Sequence, residues 1–487
     1  MEENIIIPHD SKIIDIILHE CKMTRFQDQE AAAIEMITEF VNEVYDNHDK
    51  IPETNIVAFL LRRIIEIDEL LSAQINEILH HPDFQKLEGS WRGFYCFVIN
   101  TETGQRLKIK LLNVTLEELR TDLTKAIEFD QSSLFKKIYE DEYGTFGGTP
   151  YSCILGDFYF TNHSQDISFL ELISGVAAAA HTPFISSVSP LFFNLDTFED
   201  LPYPRDLTKL FESPDYVKWT SFRNSEDSRY VSLVLPRVLV RLPYGDNTCP
   251  VVGFDFQEDV GVGETSKFCW GNAVYAIGQR ITNSFALYSW TAAIRGVENG
   301  GVLESLPAYV FTTLEGDKEI KCPTEVAITD RREKELSDLG FLCICYCKGT
   351  DYAVLFNAQT TQKPKVYNTD EANANAILSA RLTYILAASR FAHYIKVIVR
   401  DKIGSFSTKE NIETYLNNWL SGYVLLNDDA SATIKAQYPL REGRIDVYDV
   451  LGSPGKYKSV IYLRPHFQME ELTASIRLVA TLPGKAG

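Results

Sequence analysis

The sequence predicts an α+β protein of two or three domains, and three observations carry that reading. The chain has 487 residues, too long for one ordinary hydrophobic core. Long apolar runs at helical spacing alternate with short runs of period two. Hydrophobic residues make up 45% and aromatic residues 12%, a globular composition that argues against whole-chain disorder.

Residues 1–50 read as an arm followed by helices. Ile5, Ile6 and Ile7 stop at Pro8, Ile13 to Leu18 suggest a short helix, and a second runs from about Gln27 to Tyr45. Thr54 to His80 holds neither Gly nor Pro. Its seam is Val57, Leu61, Ile64, Ile67, Leu71, Ile75 and Ile78, helical spacing with a coiled-coil flavour. Phe59, Leu60, Ile65 and Leu70 spill outside the seam, so this helix needs cover on more than one side. Pro82 restarts the helix, as proline does in a first turn. Phe84, Leu87, Trp91, Tyr95 and Val98 then share one face. Phe84, Trp91 and Tyr95 are therefore read as core or interface aromatics and not as a ligand cage. RLKIKLLNV (106–114) alternates and predicts a half-exposed strand.

The middle of the chain is mixed. GTFGGTPYSCILGDFYF gives a glycine loop and then a strand, and QDISFLELISGVAAAAHT a helix ending before Pro183. SLVLPRVLVRLPYG reads as a strand with Pro236 inside, hence an edge or a bend. TDRREKEL starts a helix capped by Thr329 or Asp330 and stopped at Gly340. FLCICYCKGTDYAVLF is a hairpin, and Asn373 to Asp401 one long helix. At the end, GRIDVYDV and KYKSVIYLR flank the turn signal LGSPG, and LTASIRLVATL alternates, giving a C-terminal β-meander.

The formal charge of −20 disfavours a nucleic-acid or anionic-membrane partner. Residues 1–80 hold 17 acidic and 6 basic side chains, and residues 377–487 hold 10 acidic and 14 basic, an asymmetry that would suit head-to-tail association. Ordinary solvated surfaces are the plainer reading. Nine cysteines, with no CxxC pair, mostly in apolar runs, fit reduced buried thiols in a cytoplasm. MEENIIIPHD has the pattern of neither a signal nor a transit peptide, and no apolar stretch approaches the roughly 18 residues of a membrane span.

Chemistry is hard to find. GVGETSK (261–267) lacks the Gly that precedes the Lys of a phosphate loop, and GTFGG (144–148) precedes a strand where a dinucleotide fingerprint follows one. Cys343, Cys345 and Cys347 share a strand face, about 7 Å apart at each step, whereas metal knuckles gather thiolates on turns. No HExxH or GxSxG occurs. No catalytic, metal or cofactor site is expected. SFRNSEDSRY (221–230) reads as a salt-bridged turn.

Long, ordered similarity is more specific. ILHHPDFQKLEGSWRG, DEYGTFGGTPYSCILGDFYF, SFRNSEDSRYVSLVLPRVLVRLPYG, PTEVAITDRREKELSDLGF, RFAHYIKVIVRDKIGS and YLRPHF resemble, in the same order, the large sheath subunit of type VI secretion systems, the TssC (VipB, IglB) family. The match is weakest before about residue 50. The resemblance implies a multidomain contractile-sheath fold with no enzymatic role. An inner phage-tail-sheath-like α/β core with a C-terminal β-meander would take residues 51–130 and 377–487, an outer α/β domain residues 131–376, and an arm with helices residues 1–50.

The implied partners are a small subunit of the TssB (VipA, IglA) type, neighbouring protomers in six-membered rings, an inner tube of haemolysin-coregulated protein type, and a baseplate. An AAA+ disassembly ATPase of ClpV type would act mainly through the small subunit. The resemblance assigns inter-subunit strand exchange to Arg444, Ile445, Asp446, Val447 and Tyr448 and to Tyr457, Lys458, Ser459, Val460, Ile461, Tyr462 and Leu463. The seam from Val57 to Ile78 is a candidate docking helix for the small subunit, with intrachain core as the alternative. The nearest rival is the sheath of a related contractile injection machine, built from one polypeptide or close paralogues. The other is a soluble nucleotide-dependent enzyme using GVGETSK.

Overall fold

The computed structural model describes residues 18, 23–24, 26–46, 56–203, 206–246, 248–261, 263–313, 315–403, 408–427, 429–450 and 457–466. The expected helix over Ile13–Leu18, except Leu18, and the third meander strand over Leu472–Leu482 lie outside these residues. The chain divides into two compact units, one of residues up to Ile78 with Tyr244–Glu258, the other of Leu79–Pro243 with Asp259 onward.

The first unit contains helix α1 (Glu30–Asp46) and nearly all of α2 (Ile56–Leu79), matching the two helices read from the sequence. Ala33 of α1 and Leu18 form a small core with Ile34 and Ile37. The Tyr244–Glu258 loop closes on itself. The Tyr244 N–H donates to the Glu258 carboxylate at 2.8 Å, and the Glu258 N–H donates to the Tyr244 carbonyl at 3.0 Å.

The second unit is built on a six-stranded sheet. Strands β1 (Ile154–Phe160), β2 (Phe184–Val188) and β3 (Val231–Leu235) run parallel. Two short pairs follow, β4 (Val238–Leu239) with β5 (Trp270–Gly271), and β7 (Val310–Thr312) with β8 (Lys318–Ile320). The sheet order is β1-β2-β3-β9-β10-β6, where β6 is Val302–Leu303, β9 Phe341–Tyr346 and β10 Ala353–Leu355. β9 is parallel to β3, while β10 is antiparallel to both β9 and β6.

Alternation along the strands divides two cores. Phe184, Val231, Leu233, Leu235, Phe341, Cys343 and Cys345 face one side. Ile185, Val234, Leu342 and Ile344 face the other. A parallel sheet covered on both faces requires this pattern. Of helices α3 (Pro82–Ile99), α4 (Leu116–Lys125) and α5 (Ser164–Ala180), the last two contribute to the first core. Helix α6 (Val274–Tyr288) covers the second. Helix α7 (Asp330–Asp338) has Thr329 at its N-cap position, without a side-chain capping bond, and stops at Gly340, whose φ of 90° favours glycine.

A third core joins α9 (Leu382–Asp401), α10 (Lys409–Ser421) and a hairpin of β11 (Leu440–Asp449) and β12 (Tyr457–Pro465) around Trp290, Phe391, Leu420 and Ile445.

Four sequence expectations need correction. Residues 106–114 alternate in exposure from Arg106 to Lys110 as a strand would, but they join no sheet. The single strand expected around Pro236 is two, β3 and β4, with Pro236 at the bend between them. The bend is one of the two alternatives read from the sequence, and the other, an edge, fails because β3 is central. The single helix expected from Asn373 to Asp401 is two, α8 (Asp370–Ser379) and α9, broken at Ala380–Arg381. The break is tertiary in origin. The Thr360 N–H donates to the Ala380 carbonyl at 3.0 Å, and the Leu382 N–H to the Ala358 carbonyl at 2.7 Å. Finally, α9 is long and apolar enough to cross a membrane, against the reading that no such stretch exists. Half of its most apolar stretch (50%) is buried within the fold, and Leu386, Phe391 and Ile395 lie in core clusters, as in the core helix of a folded domain.

One buried polar cluster ties α9 to α5. The His393 ring donates from Nε2 to the carbonyl of Ala180 at 2.9 Å. It lies 5.1 Å from the Tyr143 ring and 6.3 Å from the His181 ring. Lys396, on the same helix, sits over Tyr143 at 3.5 Å and Tyr139 at 4.6 Å. Both tyrosines belong to a nine-residue π-helix, Lys136–Gly144. Burial, with Arg390, His181 and Lys396 adding to it, pushes the His393 imidazole down to about 4 despite the Ala180 bond. Burial and Lys396 lower His181 as well.

The unfolded chain therefore takes up these protons first. Stability is complete above about pH 6.5 and falls as pH drops towards 4, a loss on the order of 3 kcal/mol for His393. Urea denaturation at pH 7, 6, 5 and 4 should show this slope, and His393→Gln should flatten it. An unchanged slope in that variant would remove His393 from the account.

Candidate assembly surfaces

The residues that first suggested chemistry are spoken for. The ammonium of Lys267 in GVGETSK is held by Asp259 and Glu264, each at 3.0 Å. Glu264 also accepts the Gly261 N–H at 3.0 Å, so carboxylates fill the loop that an incoming phosphate would have to enter. Cys343 and Cys345 are buried and burial pushes both thiols well up, which disfavours the nucleophilic thiolate. Cys347 lies just beyond β9 and is half-buried. Among the described residues no cluster of three or more His, Cys, Asp or Glu is placed to hold a metal. In SFRNSEDSRY, Arg229 pairs with Glu226 as expected. Arg223 instead goes inside, donating to the carbonyls of Thr361 at 3.0 Å and Asp338 at 2.9 Å.

The β11–β12 hairpin is the sharper feature. Arg444 faces Tyr462, Ile445 faces Ile461, Asp446 faces Val460, Val447 faces Ser459, and Tyr448 faces Lys458. Helix α10 lies along β11 and supplies side chains in place of a neighbouring strand. Asn417 donates to the Ile445 carbonyl at 2.7 Å and accepts the Ile445 N–H at 2.9 Å. Glu413 accepts the Val447 N–H at 3.0 Å. These groups of Ile445 and Val447 thus point away from β12.

In an antiparallel ladder such residues form non-hydrogen-bonded pairs, so their partners Ile461 and Ser459 also turn N–H and C=O outward. The outer edge of β12 is open among the described residues, whereas the outer edge of β11 is closed at Ile445 and Val447. Ile445 and Val447 are buried, and Asp446, Val460, Ile461 and Leu463 half-buried. Arg444, Tyr448, Tyr457, Lys458, Ser459 and Tyr462 are exposed. Arg444 lies 5.0 Å above the Tyr462 ring and 2.9 Å from Asp446.

Two helices turn apolar residues outward, each within its own unit. On α3 the buried face is Gly89, Gly93 and Phe97. A Cβ at Gly89 would meet the Trp270 carbonyl at 2.4 Å, and one at Gly93 would meet the Tyr275 ring at 2.7 Å. The helix thus packs through its small residues, and Phe84, Leu87, Trp91, Tyr95 and Val98 face out, Trp91 and Tyr95 being 58% and 63% exposed. Their alternative as core is not where the chain puts them. Glu88 anchors the same helix to the bidentate Arg241 at 2.6 and 3.1 Å. Burial pushes the Glu88 carboxyl up, but Arg241 and Arg92 outweigh it and hold it below its usual range. On α2, Leu61, Ile64, Ile67, Leu71 and Ile78 of the seam are exposed and Ile75 is half-buried. The side chain of Val57 lies outside the described residues.

Sequence reading missed Asn417 and Glu413, which carry no motif. The four-residue spacing of Gly89 and Gly93 was the available signal for the buried face of α3.

Comparison with known proteins gives consistent matches. A family model described as EvpB/VC_A0108, tail sheath N-terminal domain, matches residues 61–362. A second, the EvpB/VC_A0108 tail sheath gpW/gp25-like domain, matches residues 371–482. A relative from Pseudomonas aeruginosa, the type VI secretion system sheath protein TssC1, is 49% identical over 424 residues, covering 86% of this chain and 85% of that protein. Two solved structures of the anti-feeding prophage are also similar, each 11% identical. They are its baseplate, with a TM-score of 0.34, and its helical sheath in the contracted state, with a TM-score of 0.29. Each match covers 64% of this chain and 66% of the other, just under two thirds of its length.

The edge-closing role of Asn417 is measurable. Asn417→Leu leaves the Ile445 N–H and C=O without partners and should cost about 1–3 kcal/mol in urea denaturation. Amide exchange at Ile445 should accelerate with it. Unchanged exchange at that amide would sink the assignment.

Proposed function

The chain belongs to the EvpB/VC_A0108 (VipB) family of type VI secretion tail sheath proteins, and from that premise we propose that it is the large structural subunit of a contractile sheath. The observation that carries this reading is 49% identity to a named sheath protein across 86% of the chain. In the proposed assembly the chain pairs with a small subunit of TssB type in the bacterial cytoplasm. The pairs stack as six-membered rings around an inner tube of haemolysin-coregulated protein type, on a baseplate, and contraction drives the tube outward. An AAA+ ATPase of ClpV type then disassembles the sheath, mainly through the small subunit. The role is mechanical and not enzymatic.

The surfaces support this reading physically. The open edge of β12, with Ser459 and Ile461 offering backbone groups, suits strand exchange along Tyr457–Leu463, with Arg444–Tyr448 brought into the shared sheet as the other strand of the hairpin. Backbone ladders survive while rigid bodies rotate about them, which a contracting sheath needs. The exposed seam of α2 and the aromatic stripe of α3 are apolar surfaces of the kind that mark protein interfaces. We assign small-subunit docking to the α2 seam. The proposed inner core is residues 51–130 with 377–487, and the outer domain residues 131–376.

Electron microscopy decides the matter. Co-expression with the candidate small subunit should yield hollow, cog-edged tubules that neither chain forms alone, and deleting residues 444–487 should abolish them. A chain that stays a compact soluble particle with every candidate partner refutes the sheath role.

A further inference from the structure

Residues 106–114 form a strand without a sheet. Exposure alternates from Arg106 to Lys110, with Leu107 and Ile109 half-buried between exposed cations. Leu111 and Leu112, neighbours that face opposite ways in an extended chain, are 62% and 52% exposed. Among the described residues, one backbone hydrogen bond touches this stretch, from the Gly104 N–H to the Leu107 carbonyl at 2.9 Å. The remaining main-chain donors and acceptors have no protein partner there.

Side chains hold the stretch in place instead. Val114 packs against the first core, and Thr115 opens α4 with a reciprocal capping box to Glu118. Lys110 pairs with Glu142 and lies 5.1 Å over the Tyr151 ring. The segment is therefore fixed at its C-terminal half, while its backbone beyond Leu107 has no main-chain partner among the described residues.

We infer that Arg106–Val114 is a docking strand, taken up on assembly by a β-strand of a separate protein chain that carries carboxylates at alternate positions. The free backbone dictates a strand as the occupant, because only a ladder satisfies successive N–H and C=O groups. Charge dictates its composition. Arg106 and Lys108 are exposed on one face, and among the described residues neither meets a carboxylate. A second copy of this chain fits poorly. Its open strand β12 carries cations and no carboxylate over Tyr457–Arg464, so it offers no counter-charge to Arg106 and Lys108. The inference rests on the sheath reading for its partner, the small sheath subunit, and is separable from it.

Hydrogen exchange tests it on the full-length chain, alone and in tubules formed with the candidate small subunit. Amides of residues 107–113 should exchange freely in the chain alone and slow by about 100-fold or more in tubules. Lys108→Pro and Ile109→Pro remove successive N–H groups, one of which must face the docked strand. One of the two should cut co-purification of the small subunit at least about tenfold, with the thermal unfolding of the isolated chain unchanged, since neither amide bonds to any described residue. Arg106→Glu with Lys108→Glu should weaken the pair in a salt-dependent manner.

Tubules that form while these amides stay unprotected overturn the inference and leave the sheath role standing. Protection that appears when the chain self-associates alone overturns the separate-chain occupant. If no tubules form with any partner, the sheath role fails and the inference fails with it.

Discussion

The constraint on which the rest of the structure depends is that buried backbone N–H and C=O groups must be paired. The six-stranded sheet obeys it through five strand pairings and cover on both faces. The break between α8 and α9 obeys it too, since Ala380 and Leu382 leave the helical ladder only to join Thr360 and Ala358. Asn417 and Glu413 obey it by standing in for a strand beside β11. Among the described residues, the outer edge of β12 and most of residues 106–114 have main-chain groups with no protein partner, and both stretches include exposed residues that water can reach.

Much of the fold was legible because local signals agreed with the outcome. Thr329 and Gly340 bracket α7, Pro82 opens α3, and LGSPG separates two alternating runs that become β11 and β12. Failures arose where tertiary contacts outweighed local pattern. LKIKL has strand periodicity, but periodicity marks the conformation a segment prefers and says nothing about whether a neighbour exists in the same chain. Asn373–Asp401 has continuous helical character, and only long-range pairing near residue 359 interrupts it.

The candidate surfaces were half legible for a related reason. An apolar stripe such as Phe84, Trp91 and Tyr95 announces burial without saying in what. In α3 the face that meets the fold is marked by Gly89 and Gly93, since a backbone carbonyl and a tyrosine ring approach there more closely than a Cβ allows. Large side chains then project to the other side, where a second chain can bury them at about 25 cal/mol per Å². The same logic applies to α2, whose apolar residues exceed what one seam can cover.

The closed edge at Asn417 has a consequence for valence. A hairpin open along both sides can stack on copies of itself without limit, the geometry of cross-β fibres. A hairpin with one side occupied by its own helix accepts a single newcomer, and growth continues only if that newcomer brings a further free edge of its own. On the proposed strand exchange, sharing would then be a bond of fixed stoichiometry. Two side chains of α10, Asn417 and Glu413, would separate a finite mechanical linkage from an endless aggregate.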